Sequence, residues 1–264
     1  MTASDRCRQL VGGSALFLAS PGGAVTKVDP PTWQPPKKCA ARPISLPSLA
    51  GALPNEVRQL AARVKAVYVA DDSGSMYGSF GDPTGVRYAA AQSLVELQRR
   101  SGGGQASVVH WGSDAPEEMA TPLVDVRRGR RQLDDALQIP PTLGGNDLPA
   151  ALRRAMEVLS ILGRSDIPLV FVLSDGIEFV TSEVHAAVAA LPKNAVHMVL
   201  VDRSNGCSPD MEKDWAKVAF GSFVRLPDLD TTAMAMTLAN IYANALGLSL
   251  APTTLTNKNT WRKK

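Results

Sequence analysis

Ala66-Val67-Tyr68-Val69-Ala70-Asp71-Asp72-Ser73-Gly74-Ser75-Met76 is the stretch on which the reading of this sequence turns. Five apolar residues, rich in strand formers, run without a break into carboxylates, hydroxyls and a glycine. That pattern predicts a strand buried on both faces, ending in a polar loop. Upstream, Val57, Leu60, Ala61 and Val64 recur at helical spacing. Downstream, the periodicity predicts helices over 85–100, 130–137, 148–162, 182–191, 211–220 and 231–246. It predicts strands over 106–111, 169–173, 196–201 and 223–226, with a short segment at 122–126. Strands that alternate with helices in this way need crossover connections. The expected fold class is therefore α/β: a doubly wound, mostly parallel central sheet with helices on both faces, Rossmann-like in architecture.

The 264 residues are enough for one such domain plus an extension. Residues 56–248 read as the domain, residues 1–55 as a Pro-rich N-terminal extension, and residues 249–264 as a polar, basic tail. Within the extension, Asp29-Pro30-Pro31-Thr32-Trp33-Gln34-Pro35-Pro36 fixes φ and removes backbone donors, so it reads as an extended arm. Trp33 and Ile44-Ser45-Leu46 are its candidates for docking on the body. A net charge of +3 does not indicate nucleic acid. Cys7, Cys39 and Cys207 are odd in number and widely spaced, which argues against a disulfide framework and against structural zinc. A cytoplasmic location is expected on this ground. The alternative, a secreted protein, arises from residues 6–24, where Arg6 and Arg8 precede an apolar run and a Ser-Pro-Gly-Gly-Ala segment like a weak signal peptide. Gly, Pro or charge interrupts every apolar run, so no membrane span is expected.

In an open parallel sheet, ligands sit beyond the carboxyl ends of the strands, so the residues that follow apolar runs carry most information about function. Asp71, Ser73 and Ser75 follow the first run. Ser174-Asp175-Gly176 follows Leu169-Val170-Phe171-Val172-Leu173. A third loop, Leu143-Gly144-Gly145-Asn146-Asp147-Leu148, has glycines for a tight turn and a helix cap in Asn146 or Asp147. Three loops thus bring hard oxygen donors and no imidazole or thiolate. This donor set suits Mg²⁺ (or Mn²⁺ or Ca²⁺) rather than zinc or copper.

These residues carry a family resemblance. Asp71-x-Ser73-x-Ser75 resembles the metal ion-dependent adhesion site of von Willebrand factor type A-like domains. Asp175 matches the family's later aspartate, and Gly144-Gly145-Asn146 stands where the family has Gly-Gly-Thr. The resemblance spans about residues 60–246. It implies one ion held by Asp71, Ser73, Ser75, Asn146 and Asp175, with Asn146 favoured over Asp147, and Asp72 facing outward between ligands. Asn146 departs from the family's pattern, a carboxamide oxygen replacing a hydroxyl. The resemblance further implies a metal-dependent protein–protein interaction module whose ion takes an Asp or Glu of a partner. In intracellular members such a module is an adaptor in a multiprotein assembly, including ones with AAA-type ATPases. Of the extra acidic residues that mark a second ion in integrin β-type domains, only Asp82 is present, so one site is expected.

An enzyme is not expected. Asp72-Ser73-Gly74 also occurs in aspartic proteases, but those need an all-β context. His110, His185 and His197 fall in or near predicted strands and a helix and read as structural. No nucleophile elbow or phosphate loop is present. The competing readings are a metal-dependent hydrolase using Asp175 or Asp72 as base, and a secreted or surface adhesin. Arg127, Arg128, Arg130 and Arg131 form the densest basic run and read as a solvated face. Tyr77 and Phe80 could contact a partner beside the ion, or pack on the next helix.

Overall fold

The computed structural model describes residues 41–77, 81–112, 120–138, 144–176, 180–201 and 209–252, with backbone alone at 209–211. The elements are β1 (Leu49–Ala50), α1 (Pro54–Ala62), β2 (Val64–Asp71), α2 (Val86–Ser101), β3 (Gln105–Trp111), β4 (Val124–Asp125), α3 (Arg130–Ala136) and α4 (Leu148–Val158). They continue as β5 (Ile167–Ser174), α5 (Ser182–Ala190), β6 (Val196–Val201), α6 (Pro209–Trp215), β7 (Ser222–Leu226), α7 (Thr231–Ala245) and β8 (Ser249–Leu250).

Six strands form one sheet in the order β4-β3-β2-β5-β6-β7. β3, β2, β5, β6 and β7 are mutually parallel, and the short edge strand β4 runs antiparallel to β3. The expected class is therefore observed: a mostly parallel sheet with helices on both faces. Strand alternation decides which residue enters which layer. Tyr68 and Ala70 of β2 join one core with Leu94 and Leu97 of α2 and Leu238 and Tyr242 of α7. Val67 and Val69 join the other with Leu148 and Leu152 of α4, Val184 and Val188 of α5, and Trp215 of α6. Both layers bury the strands between them, which is why β2 and β5 are nearly continuous apolar runs.

Several boundaries shift for local reasons. α4 gives way to a 3-10 turn over Leu159–Ile161, and α6 ends at Trp215 instead of continuing to residue 220. Before α1, Pro54 sits in the first turn, where its missing N–H costs nothing, and the Glu56 carboxylate accepts from the Leu53 N–H at 3.0 Å. Leu46 is buried in the first core, and Leu49 and Ala50 pair with Leu250 and Ser249. Both flanks of the domain therefore pack on it. Trp33, the segment 6–24 and residues 253–264 lie outside the described residues. Among the described residues, no helix is long and apolar enough to cross a membrane.

Candidate metal centre

β2 and β5 are hydrogen-bonded neighbours at the centre of the sheet, so Asp71 at the end of one and Ser174-Asp175 at the end of the other emerge side by side. Asp71 is 1% exposed and Asp175 is 7% exposed. Asp71 Oδ1 accepts from the Ser73 N–H at 2.9 Å, which curls the loop back on the strand end. Its Oδ2 accepts from the Ser174 hydroxyl at 2.5 Å. Ser174 Oγ in turn accepts from the Gly176 N–H at 2.9 Å, so one hydroxyl ties both strand ends together. The Ser73 and Ser75 hydroxyls lie 3.0 Å apart. The third loop is stitched to the first by Gly74 N–H donating to Gly144 O at 2.9 Å, which brings Asn146 to the same rim. All five predicted residues therefore sit on three loops at one end of the sheet.

Asp147 has another task. It is the N-cap of α4, its Oδ1 accepting from the Ala150 N–H at 2.9 Å. Its helix-capping bond leaves Asn146, the residue before it, as the ligand candidate of that loop. Gly176 is required by backbone geometry: its φ is +71°, and a Cβ there would lie 2.2 Å from Leu200 Cδ1. Trp215 Nε1 donates to Gly176 O at 3.1 Å and fixes the same turn from the neighbouring strand pair.

The electrostatics of the pair are unusual for a merely structural cluster. Burial, and next the nearby negative charge of Asp175, push the Asp71 carboxyl up to about 8, against the pull of the hydrogen bonds from Ser174 and Ser73. Two carboxyl groups held together out of water cannot both be ionised at neutral pH unless a positive charge joins them. A divalent cation satisfies that requirement, and the donors that face it, carboxylate, hydroxyl and carboxamide oxygens, are hard ones of the kind Mg²⁺ and Mn²⁺ take. Among the described residues no three His, Cys, Asp or Glu side chains converge. A site of two carboxylates with hydroxyls matches that, and it departs from the clusters of soft or many-carboxylate sites. The donor set thus fits an ion, with Asp71, Ser73, Ser75, Asn146 and Asp175 to hold it.

Asp72 corrects an expectation. It does not face outward: it is 0% exposed and points down, away from the loop surface. Its Oδ1 accepts from Arg87 Nη2 at 2.7 Å and from the Tyr77 hydroxyl at 3.2 Å, while the Tyr88 hydroxyl reaches both of its oxygens, at 2.6 and 2.7 Å. His110 Nδ1 lies 2.8 Å from its Oδ2, and His110 Nε2 donates to Ala136 O at 2.9 Å. Although burial opposes it, the Arg87 charge and the His110 contact hold the Asp72 carboxyl below the usual carboxylate range. Asp82, also 0% exposed, is engaged within the fold. It caps α2 through bonds from the Val86 and Arg87 N–H groups, both 2.8 Å, and pairs with Arg87 Nη1 at 3.1 Å. Gly81 lies against the metal loop so closely that a Cβ would meet Ser75 O at 2.4 Å. Tyr77 thus packs inward, and Phe80 lies outside the described residues.

No family model matches the sequence, and no curated protein matches it. Solved structures do. The pilus adhesin SpaC from Lactobacillus rhamnosus GG, in its open conformation, superposes with a TM-score of 0.55 at 14% identity over 70% of this chain and 30% of that one. A von Willebrand factor type A protein from Catenulispora acidiphila superposes with a TM-score of 0.52 at 17% identity over 70% of this chain and 43% of its own. This chain has the von Willebrand factor type A-like fold. The conserved hypothetical protein BatB from Bacteroides thetaiotaomicron matches at a TM-score of 0.50 and 16% identity, over 70% of this chain and 99% of that one. The chain spans less than half the length of the adhesin and of the Catenulispora protein. In this type A-like domain the candidate site occupies the crevice at the carboxyl ends of β2 and β5, where open α/β sheets place their ligands.

Ser174, Arg87 and Tyr88 are the residues that reading the sequence missed, while His110, read as structural, serves the network beneath the loop. Ser174 was visible in Ser174-Asp175-Gly176 but its bond to Asp71 spans 103 positions. Arg87 carried a faint signal: it is a charged residue among Val86, Tyr88, Ala89, Ala90 and Ala91 on a helix that is buried almost all round.

Proposed function

We propose that this domain is a metal-dependent protein-interaction module in which one Mg²⁺ or Mn²⁺ ion, held by Asp71, Ser73, Ser75, Asn146 and Asp175, accepts an Asp or Glu side chain from a partner. The observation that carries this reading is the buried Asp71–Asp175 pair, in which burial first and the neighbouring carboxylate second lift Asp71 to about 8 in the absence of a counter-charge. When bound, the ion supplies positive charge and an open coordination position. The chain's own residues orient the donors: Ser174 fixes Asp71, Gly144 fixes the hydroxyl loop, and Asp147 anchors the loop that carries Asn146.

A docking role is favoured over hydrolysis because, of the two candidate bases, Asp72 lies beneath the loop and Asp175 is itself a candidate ligand. Asp72 is held as an ionised, four-partner carboxylate beneath the loop, and His110 is committed to Asp72, Tyr88 and Ala136 O, so neither faces the crevice as a general base. The module acts as an adaptor in a multiprotein assembly, in the cytoplasm. The test is capture of partners from a native extract on immobilised protein, with Mg²⁺ or with EDTA, using wild type and Asp175→Ala. Capture that needs both the metal and Asp175 supports the reading, and capture indifferent to EDTA overturns it. Turnover of generic phosphate or ester substrates, lost in Asp71→Ala at unchanged folding, would replace it with the hydrolase reading.

A further inference from the structure

Asp72 is the immediate chain neighbour of Asp71, yet its charge is disposed of entirely below the loop. Its two oxygens are engaged by the guanidinium of Arg87, two tyrosine hydroxyls and the His110 ring, and both Asp72 and Arg87 side chains are fully buried. Arg87 is placed for this task by its own helix. Its backbone N–H is tied to Asp82 Oδ2 at 2.8 Å and its Nη1 to Asp82 O at 2.9 Å, so the guanidinium cannot swing away. The Tyr88 ring lies under it, 4.5 Å from its carbon to the ring centroid. Asp82 is served in part by the N-terminus of α2 through two backbone N–H bonds, which leaves the second arm of the guanidinium fork for Asp72.

We propose that Arg87 is a specificity-determining positioning residue for the candidate metal centre: by binding Asp72 and cancelling its charge, it leaves two carboxylates rather than three to act on the ion, and so keeps the ion receptive to an anionic ligand. This rests on the metal-binding reading above. The physics is a charge count. A divalent ion facing two carboxylates is neutralised only formally, since Asp71 also shares hydrogen bonds with Ser73 and Ser174, and it still attracts a third carboxylate from outside. An additional uncompensated negative charge one residue along the chain would hold the ion more tightly and weaken that attraction. Residues at this depth are poorly screened, so the effect survives physiological salt.

The test is a charge cycle on four proteins: wild type, Asp72→Asn, Arg87→Gln and the double variant, each checked for folding by circular dichroism. Two quantities are read with Mn²⁺ as the probe: its dissociation constant, from the electron paramagnetic resonance signal of the free ion, and displacement of metal-bound water by acetate, from water proton relaxation. Asp72→Asn removes one of the two carboxylates that Arg87 pairs with, leaving Asp82, and is expected to weaken Mn²⁺ about tenfold while strengthening acetate. Arg87→Gln is expected to do the reverse, tightening Mn²⁺ by at least about tenfold and weakening acetate, a lower bound for one buried unit charge acting on a nearby divalent ion at an effective dielectric constant near 20. The double variant, a neutral hydrogen-bonded pair, is expected to return Mn²⁺ affinity to within about threefold of wild type. A merely structural pair would weaken Mn²⁺ in every variant and would not move acetate in the opposite sense. A double variant no closer to wild type than Asp72→Asn overturns the proposal, and that comparison decides the matter even where Arg87→Gln alone fails to fold. Wild type that binds no Mn²⁺ is the separate failure of the metal-binding reading itself, and removes this one with it.

Discussion

Raising the pH should destabilise the metal-free domain, and the cause can be assigned to the proton shared by the buried Asp71–Asp175 pair. Folded Asp71 titrates near 8 and an unfolded aspartate near 3.8, so between those values the folded state holds a proton that the unfolded state has released. For an acid raised in this way, stability is fully present below the unfolded value and is lost as pH climbs to the folded one, at about 1.4 kcal/mol per pH unit where the difference is a whole proton. His197 opposes it at the acid end. Burial lowers that imidazole to about 4, so between 4 and 6.5 the unfolded state binds the extra proton and stability rises with pH. The two slopes offset one another there, and the Asp71 effect stands alone from pH 6.5 to 8. For a domain of this size, 1 kcal/mol moves Tm by about 2–4 °C, so the melting point in EDTA should fall by roughly 3–5 °C per pH unit in that window. Mg²⁺ at a hundred times its dissociation constant restores about 2.7 kcal/mol, and a fixed Mg²⁺ concentration restores more at pH 8 than at pH 6.5 because fewer protons have to be displaced. Thermal melts followed by circular dichroism across pH 5.5–8, with EDTA or Mg²⁺, make the comparison, with Asp71→Asn as the reference. That variant should melt higher than wild type in EDTA at pH 8, show no fall over the window and gain nothing from Mg²⁺. A wild-type profile in EDTA that runs parallel to that of Asp71→Asn from pH 6.5 to 8 would refute the reasoning.

Other expectations follow from single contacts. Asp147→Ala removes the cap of α4 and should cost about 1 kcal/mol in urea denaturation while Mg²⁺ still binds, whereas Asn146→Ala should weaken Mg²⁺ severalfold at little cost in stability; the reverse assignment would move Asp147 into the ligand set. Ser174→Ala removes the hydroxyl that joins Asp71 Oδ2 to the Gly176 N–H, and should reduce Mg²⁺ affinity by about tenfold in calorimetry, consistent with losing a hydrogen bond to a charged group. Gly176→Ala forces a side chain into a left-handed turn against Leu200 and should lower Tm by several degrees in the same melts. N-terminal sequencing of native protein bears on the compartment: a start near Ala24 would favour the secreted adhesin, and an intact residue 6–24 segment the cytoplasmic adaptor.

The sequence was most informative where a single element carries the signal. The apolar run of β2 and the Asp-x-Ser-x-Ser that follows it needed no partner to be read, and the alternation of strand and helix periods gave the layer architecture. The ends of helices were less legible, because α4 tightens into a 3-10 turn and α6 stops at Trp215, a side chain whose position is settled by its bond to Gly176 across the sheet. Asp72 shows the harder limit. Between two ligand candidates, its natural reading was exposure, and its burial depends on a cation 15 positions away, a tyrosine 16 away and a histidine 38 away. No local pattern announces such a network. The only hint was a charged residue on an otherwise apolar helix, and buried charges occur only when paired.

Calorimetric titration of Mg²⁺ and Mn²⁺ into metal-free protein, beside Asp71→Ala and Asp175→Ala shown to be folded, tests the central claim most directly. The account predicts one ion per chain, bound by wild type with release of protons below pH 8 and by neither variant. Absence of binding to wild type, or binding that survives both substitutions, would contradict it.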